Sequence, residues 1–277
     1  MSFWLPRELW LGYAVLIGAC VGSFLNVVIA RLPAGLSVVR PRSRCPRCLA
    51  SIAWYDNVPI VSYLVLRGRC RGCHTRISPR YMVVELLAAA LALALYIQLG
   101  SSWQLVLWAP LAAALLVLTF LDIDHYWLPD VITLPAMAWA ALGSLLPGGV
   151  TPARAALGLL PAVGLWAFAA AFERLTRREG MGLGDVKLLA VLGLALGPVG
   201  ALLALFLAAL QGSAVGLLLL LAGWRGSNAT HADGWTPPPR ALPFGPFLVL
   251  ACYEIVLLPT LLNATMERWL ALGGISP

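Results

Sequence analysis

The stretch VKLLAVLGLALGPVGALLALFLAALQGSAVGLLLLLAGW, residues 186–224, holds a single charged residue, Lys187, in 39 positions. As one straight helix at about 1.5 Å per residue it would run about 58 Å, roughly twice the thickness of a bilayer's hydrocarbon. The chain must fold back within it, and Gly197-Pro198 is the expected corner. The rest of the sequence belongs to the same world. Hydrophobic residues make up 61% of the 277 and charged residues 11%, with a mean hydropathy of +0.86. A soluble core needs nothing of the kind, so the chain reads as a polytopic membrane protein.

Working outward, apolar runs of spanning length occupy 9–30, 81–99, 105–121, 131–146 and 153–172, each bounded by Pro, Gly or charge, and a last one occupies 244–262. With residues 186–224 counted twice, the expected fold is an all-α polytopic membrane protein of about eight transmembrane helices. If the short piece from 185 to 197 is re-entrant, seven remain. One stretch is clearly not membrane: 31–80 holds ten arginines, one aspartate and four of the six cysteines. It is expected as a cytoplasmic zinc-ribbon-like insert between helices 1 and 2. The domain organisation expected is 1–30 as the first transmembrane helix, 31–80 as the insert, and 81–277 as a seven-helix membrane domain.

Lys and Arg near span ends stay on the cytoplasmic side. With eight spans and the insert inside, sixteen of the nineteen basic residues fall on the inner face, leaving only Arg7, Arg154 and Arg268 outside. The N-terminus is then external, and the first span is an anchor rather than a cleavable signal, because its basic flank follows the apolar run. The net charge of +7 follows from the same bias beside anionic lipid and calls for the lipid bilayer, not nucleic acid, as partner. The inner loop 225–239, with Pro237-Pro238-Pro239, is expected to be extended and loose.

Cys45-Pro46-Arg47-Cys48 and Cys70-Arg71-Gly72-Cys73 are two C-x-x-C knuckles 21 residues apart, a spacing suited to one tetrahedral Zn²⁺. The topology puts them in a reducing compartment, which weighs against two disulfides. Four thiolates close the coordination sphere, so the metal expected at Cys45, Cys48, Cys70 and Cys73 is structural. Cys20 and Cys252 fall within spans and are expected as small core residues.

Acidic residues sit where apolar runs meet polar sequence: Asp122 and Asp124 before His125, and Asp185 after Gly182-Leu183-Gly184. The eight-span topology brings Asp122 and Asp185 to one membrane face, at the ends of the third and sixth helices. Gly182 and Gly184 form a turn that lets backbone approach closely before a helix opens, and Lys187 follows two residues on. Two carboxylates within hydrogen-bonding reach tend to share one proton, one acting on water and the other on a carbonyl. That is aspartic peptidase chemistry, and the chain has neither G-x-S-x-G nor H-E-x-x-H. Asp124 lies about 200° round a helix from Asp122, so only one of them can face Asp185. Glu254 and Gln211 fall inside spans. Glu254 stands roughly 15 Å from the inner face, too deep to join the pair, and is expected in a buried hydrogen bond.

These motifs resemble the bacterial type IV prepilin peptidases, of the GxGD class of intramembrane aspartic proteases. The resemblance runs through Gly22-Ser23-Phe24-Leu25-Asn26-Val27, Arg31-Leu32-Pro33, both cysteine pairs, Ile77-Ser78-Pro79-Arg80-Tyr81 with Glu85, Asp122-x-Asp124-His125 with Leu128-Pro129-Asp130, Gly180-Met181-Gly182-Leu183-Gly184-Asp185-Val186-Lys187, and Pro243-Phe244-Gly245-Pro246. It implies that Asp122 and Asp185 are the catalytic pair. It also implies that prepilins or pseudopilins are the substrates, cut after a glycine on the cytoplasmic side of the bacterial inner membrane. Members with the cysteine-bearing insert also N-methylate the new terminus from S-adenosylmethionine. With no G-x-G-x-x-G after a strand, a methyl-donor site must be built from the insert and helix ends, where Asn26 and Glu85 are the candidates. Two readings from other classes stand beside this one: a non-enzymatic zinc-ribbon membrane adaptor and a proton-coupled transporter. A transporter calls for mid-bilayer acids and internal symmetry, and the sequence has no repeat.

Overall fold

The structure is a computed structural model that describes residues 6–177, 182–224 and 241–260. Gly180, Met181, the loop 225–239, Arg240, Arg268 and the last apolar run beyond residue 260 lie outside the described residues. Among the described residues there are nine α-helices, one 3-10 turn and no strand; the only extended pairings are isolated bridges, Arg44 with Ser51 and Arg69 with Arg76. The chain divides into two compact units, Met1–Val117 and Leu118–Pro277.

In the first unit, helix α1 (Arg7–Arg31) packs along α3 (Arg80–Leu99). The seam is built from small residues. A Cβ on Gly18 would sit 2.7 Å from the Ala88 carbonyl oxygen and from Ala92 Cβ, and one on Gly22 would sit 2.8 Å from Ala88 Cβ and Glu85 Cα. Lipid tails are as apolar as leucine, so helices in a bilayer gain by packing backbone on backbone, and glycines four apart allow it. Large apolar residues such as Leu16, Ile17 and Phe24 turn outward, where lipid meets them. Helix α3 ends at Gly100, whose φ of 59° closes the last turn with its N–H on the Tyr96 carbonyl. Between the two helices lie the 3-10 turn Trp54–Asn57, the short α2 (Val61–Val65) and the cysteine knuckles.

Helix α4 (Trp103–His125) runs from the first unit into the second, with Leu111, Leu115, Leu118 and Leu121 fully buried along it. The second unit adds α5 (Asp130–Gly143), α6 (Pro152–Leu157), α7 (Leu160–Thr176), α8 (Leu183–Leu221) and α9 (Gly245–Leu257). Helix α8 is the hub, packing against α5, α6, α7 and α9. Its first half is buried on every side from Leu188 to Ala195, and its second half exposes Leu202, Phe206 and Leu210. The two halves are separated where the sequence asks for a corner: Gly197 takes φ 75°, ψ −179°, and Pro198 has no N–H to continue the ladder. Five helical stretches are long and apolar enough to cross a bilayer. With α8 in two pieces and the shorter apolar helices α5 and α9, the all-α fold presents eight apolar segments, that of a multi-pass membrane protein.

Two expectations need correction. The run 153–172 keeps its place as one apolar span, Pro152–Thr176, but not as one unbroken helix: α6 stops at Leu157 and α7 starts at Leu160. Pro161 cannot donate to Leu157, and Gly158 and Gly193 touch so closely that a Cβ on either would fall 1.9 Å from the other's carbonyl oxygen. Cys252 is fully buried, but Cys20 is exposed on α1, beside the Gly18–Ala19 contact rather than in it.

Candidate active site

Asp122 sits near the C-terminal end of α4 and is 5% exposed. Its Oδ2 accepts a hydrogen bond of 3.0 Å from the N–H of Gly245, the first residue of α9. A helix start offers free amides and a partial positive charge, and here that end is turned onto a carboxylate 123 residues away in sequence. Only glycine permits it, since a Cβ at 245 would lie 2.6 Å from that same oxygen. Pro246 follows, with no N–H to compete.

Asp185 is the third residue of α8, half-buried, its amide bonded to Gly182 O at 3.2 Å. It lies close enough to Asp122 for the charge on one to act on the other. The two glycines before it differ. A Cβ on Gly184 would press on Leu128 at 3.0–3.1 Å, whereas Gly182 meets nothing closer than 3.9 Å and keeps an ordinary extended backbone. Lys187 does not turn to the acids at the helix start: its Nζ pairs with Asp130 Oδ1 at 2.5 Å, on the exposed surface joining α8 to the first residue of α5. Asp122 is buried and takes the backbone amide at the start of α9, and Asp124 is half-buried.

Sequence reasoning passed over Tyr126 and the function of Gly245. Tyr126 breaks α4 with φ 50°, and its hydroxyl donates to Ala241 O at 2.9 Å. It thereby ties the segment entering α9 to the end of α4, and so ties Gly245 to Asp122. The Gly245-Pro246 pair was the available signal, a helix start with one free amide and no side chain. Deeper along α8 and α9, Gln211 Nε2 donates to Glu254 Oε2 at 2.7 Å; the hydrogen bond expected for Glu254 is there, but half-buried and not buried.

In the first unit Asn26 and Glu85 are both buried at the α1–α3 seam. Asn26 Nδ2 donates to Tyr81 O at 2.9 Å, from one helix to the next. Glu85 Oε2 accepts the Ile60 N–H at 2.7 Å. Ile60 holds φ 62°, ψ −52°, a tight turn rare for any residue with a branched Cβ, and Glu85 is the buried group that anchors it.

The four knuckle cysteines converge. The Sγ atoms of Cys45 and Cys73 are 3.7 Å apart, those of Cys48 and Cys70 4.0 Å, and all four lie within 4.8 Å of one another. A tetrahedral ion with metal–sulfur bonds of about 2.3 Å needs sulfurs about 3.8 Å apart, so the set fits one metal ion, and all six cysteines are free of disulfides. The knuckles repeat one fold: Cys45 N–H bonds Ala50 O and Cys70 N–H bonds Thr75 O, both at 2.9 Å. Leu49 and His74, each just past its second cysteine, share a left-handed φ of 57° and 53°. The amides of Cys48 and Arg47 bring the Cys45 thiol down to about 6. Cys48, although the Ala50 amide pulls it down, is held at about 11 by the sulfurs of Cys73 and Cys45. Such a set loses its last protons when a cation supplies the opposing charge.

Residues 16–99 match the Bacterial Peptidase A24 N-terminal domain, and residues 109–217 match the Type IV leader peptidase family. A "Prepilin leader peptidase/N-methyltransferase" of Myxococcus xanthus is 36% identical over 95% of this chain and 95% of its own. Proteins of the same name from Aeromonas hydrophila, 36% identical over 94% of each chain, and Neisseria gonorrhoeae, 37% identical over 80% of this chain and 87% of its own, are also similar. No solved structure matches the chain significantly. With acids at a helix junction, a four-cysteine knuckle pair and relatives matching from end to end, the chain belongs to the type IV leader peptidase family, and it is an enzyme.

Proposed function

We propose that the protein is a membrane aspartic endopeptidase that removes the leader of type IV prepilins or pseudopilins after a glycine, on the cytoplasmic side of the inner membrane, with Asp122 and Asp185 as the catalytic pair. The observation that carries the reading is Asp122 itself: a buried carboxylate with Oδ2 pinned by Gly245 and with the charge of a second acid within reach. Because Gly245 occupies Oδ2, Oδ1 is left for water or the shared proton. The ionised member of the pair takes a proton from water as its oxygen adds to the scissile carbonyl, and the protonated member gives its proton to the carbonyl oxygen. Collapse returns a proton to the departing amine and leaves a carboxylate on the leader. Lys187, Gly182 and Gly184 support the start of α8 that carries Asp185.

The insert completes the proposal. Zn²⁺ on Cys45, Cys48, Cys70 and Cys73 holds the two knuckles as a structural unit, and the sulfur spacing supports that ion. N-methylation of the new terminus takes its methyl group from S-adenosylmethionine, which supplies an electrophilic carbon to a neutral amine. Asn26 and Glu85 each spend one polar atom on the backbone and have a second to offer the methyl donor or the amine. The domain reading that accompanies this is 1–30 as anchor, 31–80 as metal-binding insert and 81–277 as peptidase, with the N-terminus outside. Incubating the purified protein with a candidate prepilin and sequencing the product's first residues tests the proposal. A new terminus directly after a glycine, methylated when the donor is present, is expected; an uncut substrate with folded, metal-loaded protein contradicts it.

A further inference from the structure

The insert carries an apolar surface that no part of its own unit covers. Trp54 is 83% exposed, Leu64 61% and Val65 70%, with Tyr55 and Val61 exposed beside them. In water such a patch on a segment this short is a liability. Its height along the molecule explains it. Ile60, directly before α2, is bonded to Glu85, five residues inside the spanning helix α3, or about 7.5 Å along its axis. Elements that lie in the membrane interface bury their apolar faces to about that depth, so the 54–65 segment stands at the boundary of headgroups and acyl chains.

Immediately after α2 the surface changes character. Tyr63, Arg67, Arg69, Arg76, Ser78 and Pro79 line a cleft of about 540 Å³, which no carboxylate lines. The cleft is built and not loose: a Cβ on Gly68 would strike the Tyr63 hydroxyl at 2.8 Å, Ile77 N–H bonds Gly68 O at 2.7 Å, and Arg67 and Gly68 both take left-handed φ, 50° and 65°. Arg71 has a carboxylate to itself, a two-point bond to Asp56. Among the described residues no carboxylate pairs with Arg67, Arg69 or Arg76. Three arginines line the one cleft with no carboxylate among its lining residues, so an anion there meets positive charge, and a planar fork of donors suits a phosphate. Ser78 and Pro79, on the cleft's rim, are the last residues before α3 enters its apolar run, which is the level of lipid phosphates.

We infer that the insert binds the bilayer surface directly, with Trp54, Val61, Leu64 and Val65 entering the acyl boundary while Arg67, Arg69 and Arg76 hold the phosphate of an anionic phospholipid. The occupant is lipid because the apolar patch and the cleft are continuous in sequence and sit at successive levels of one spanning helix, the patch at the acyl boundary and the cleft at the phosphates, and because a cationic peptide is repelled there. The inference is independent of the chemistry at Asp122.

The test uses the full chain in nanodiscs of phosphatidylcholine, with or without phosphatidylglycerol, and reads amide hydrogen exchange over residues 54–79. Phosphatidylglycerol is expected to slow exchange there by about a hundredfold, each Arg→Gln change at 67, 69 or 76 removing about fivefold of it. Zinc content of the triple variant reports that the knuckles remain folded. Equal protection in both lipids, or protection retained in the zinc-loaded triple variant, overturns the assignment. So does inorganic phosphate in phosphatidylcholine discs reproducing the effect, which would make the cleft a site for free anions. A benzophenone amino acid in place of Leu64 is expected to cross-link acyl chains in either lipid; adducts to protein or solvent alone contradict the apolar half.

Discussion

Among the described residues, each unit of the molecule buries one carboxylate on a spanning helix and satisfies it with a backbone amide from a distant segment. In the first, Glu85 takes the amide of Ile60 at 2.7 Å; in the second, Asp122 takes that of Gly245 at 3.0 Å. The anchoring bond is the same, yet the surroundings differ. Glu85 shares the α1–α3 seam with a neutral amide, Asn26, engaged with Tyr81, and the strain lies in the loop that Glu85 restrains, at Ile60. Asp122 has a second acid, Asp185, near enough for one charge to act on the other, and its amide partner comes from an unstrained helix start. A buried carboxylate with one backbone partner anchors a strained turn in one place and, under the proposed mechanism, is half of a proton-sharing pair in the other. What separates the two is the second carboxylate.

Removing charge at the two sites is the harshest way to break that comparison. Asp122→Asn or Asp185→Asn is expected to lower the single-turnover cleavage rate by about 10³-fold or more, while Glu85→Gln leaves it within about threefold. If Glu85→Gln proves as damaging as the aspartate changes, the two carboxylates are not different in kind. Altering the donors comes next. Gly245→Ala forces a methyl group against Asp122 Oδ2, and a displacement of about 1 Å there is expected to slow cleavage by about 10²-fold with helix content unchanged. Ile60→Gly, by contrast, relieves left-handed strain and is expected to stabilise the insert by about 1 kcal/mol in thermal or denaturant unfolding, leaving cleavage unaltered.

A smaller effect is expected from loosening the entry to α9. Tyr126→Phe removes the bond to Ala241 and is expected to lower kcat by about fivefold to tenfold, with KM for a prepilin unchanged, because the residue positions Gly245 and does not touch substrate. The least effect belongs to Lys187→Ala. Its partner is the exposed Asp130, so stability should change by no more than about 1 kcal/mol and cleavage by no more than about twofold; a large loss would place the lysine with the acids.

Much of this was legible in the sequence, for physical reasons that differ from one element to the next. The spans, the break at Gly197-Pro198 and the metal-ligand spacing of Cys45, Cys48, Cys70 and Cys73 depend on local composition and local stereochemistry, which a string of residues carries directly. The acids stood out because carboxylates at membrane depth are costly. What could not be read depends on contacts between distant segments. The break between α6 and α7 reflects a touch between Gly158 and Gly193, 35 positions apart. The amide of Gly245 reaches Asp122 only because α9 starts beside α4, and the turn at Ile60 exists because Glu85 restrains it. Cys20 looked like any small residue in an apolar run, and its outward orientation follows from the Gly18–Gly22 seam lying on another face of α1.

The central claim is that Asp122 and Asp185 act on water as one unit, and the measurement closest to it is a double-mutant cycle on single-turnover prepilin cleavage. The account predicts that the Asp122→Asn, Asp185→Asn double variant cleaves no more slowly than either single variant, since losing one member already disables both. Losses that multiply, or near-normal cleavage by either single variant, would contradict it.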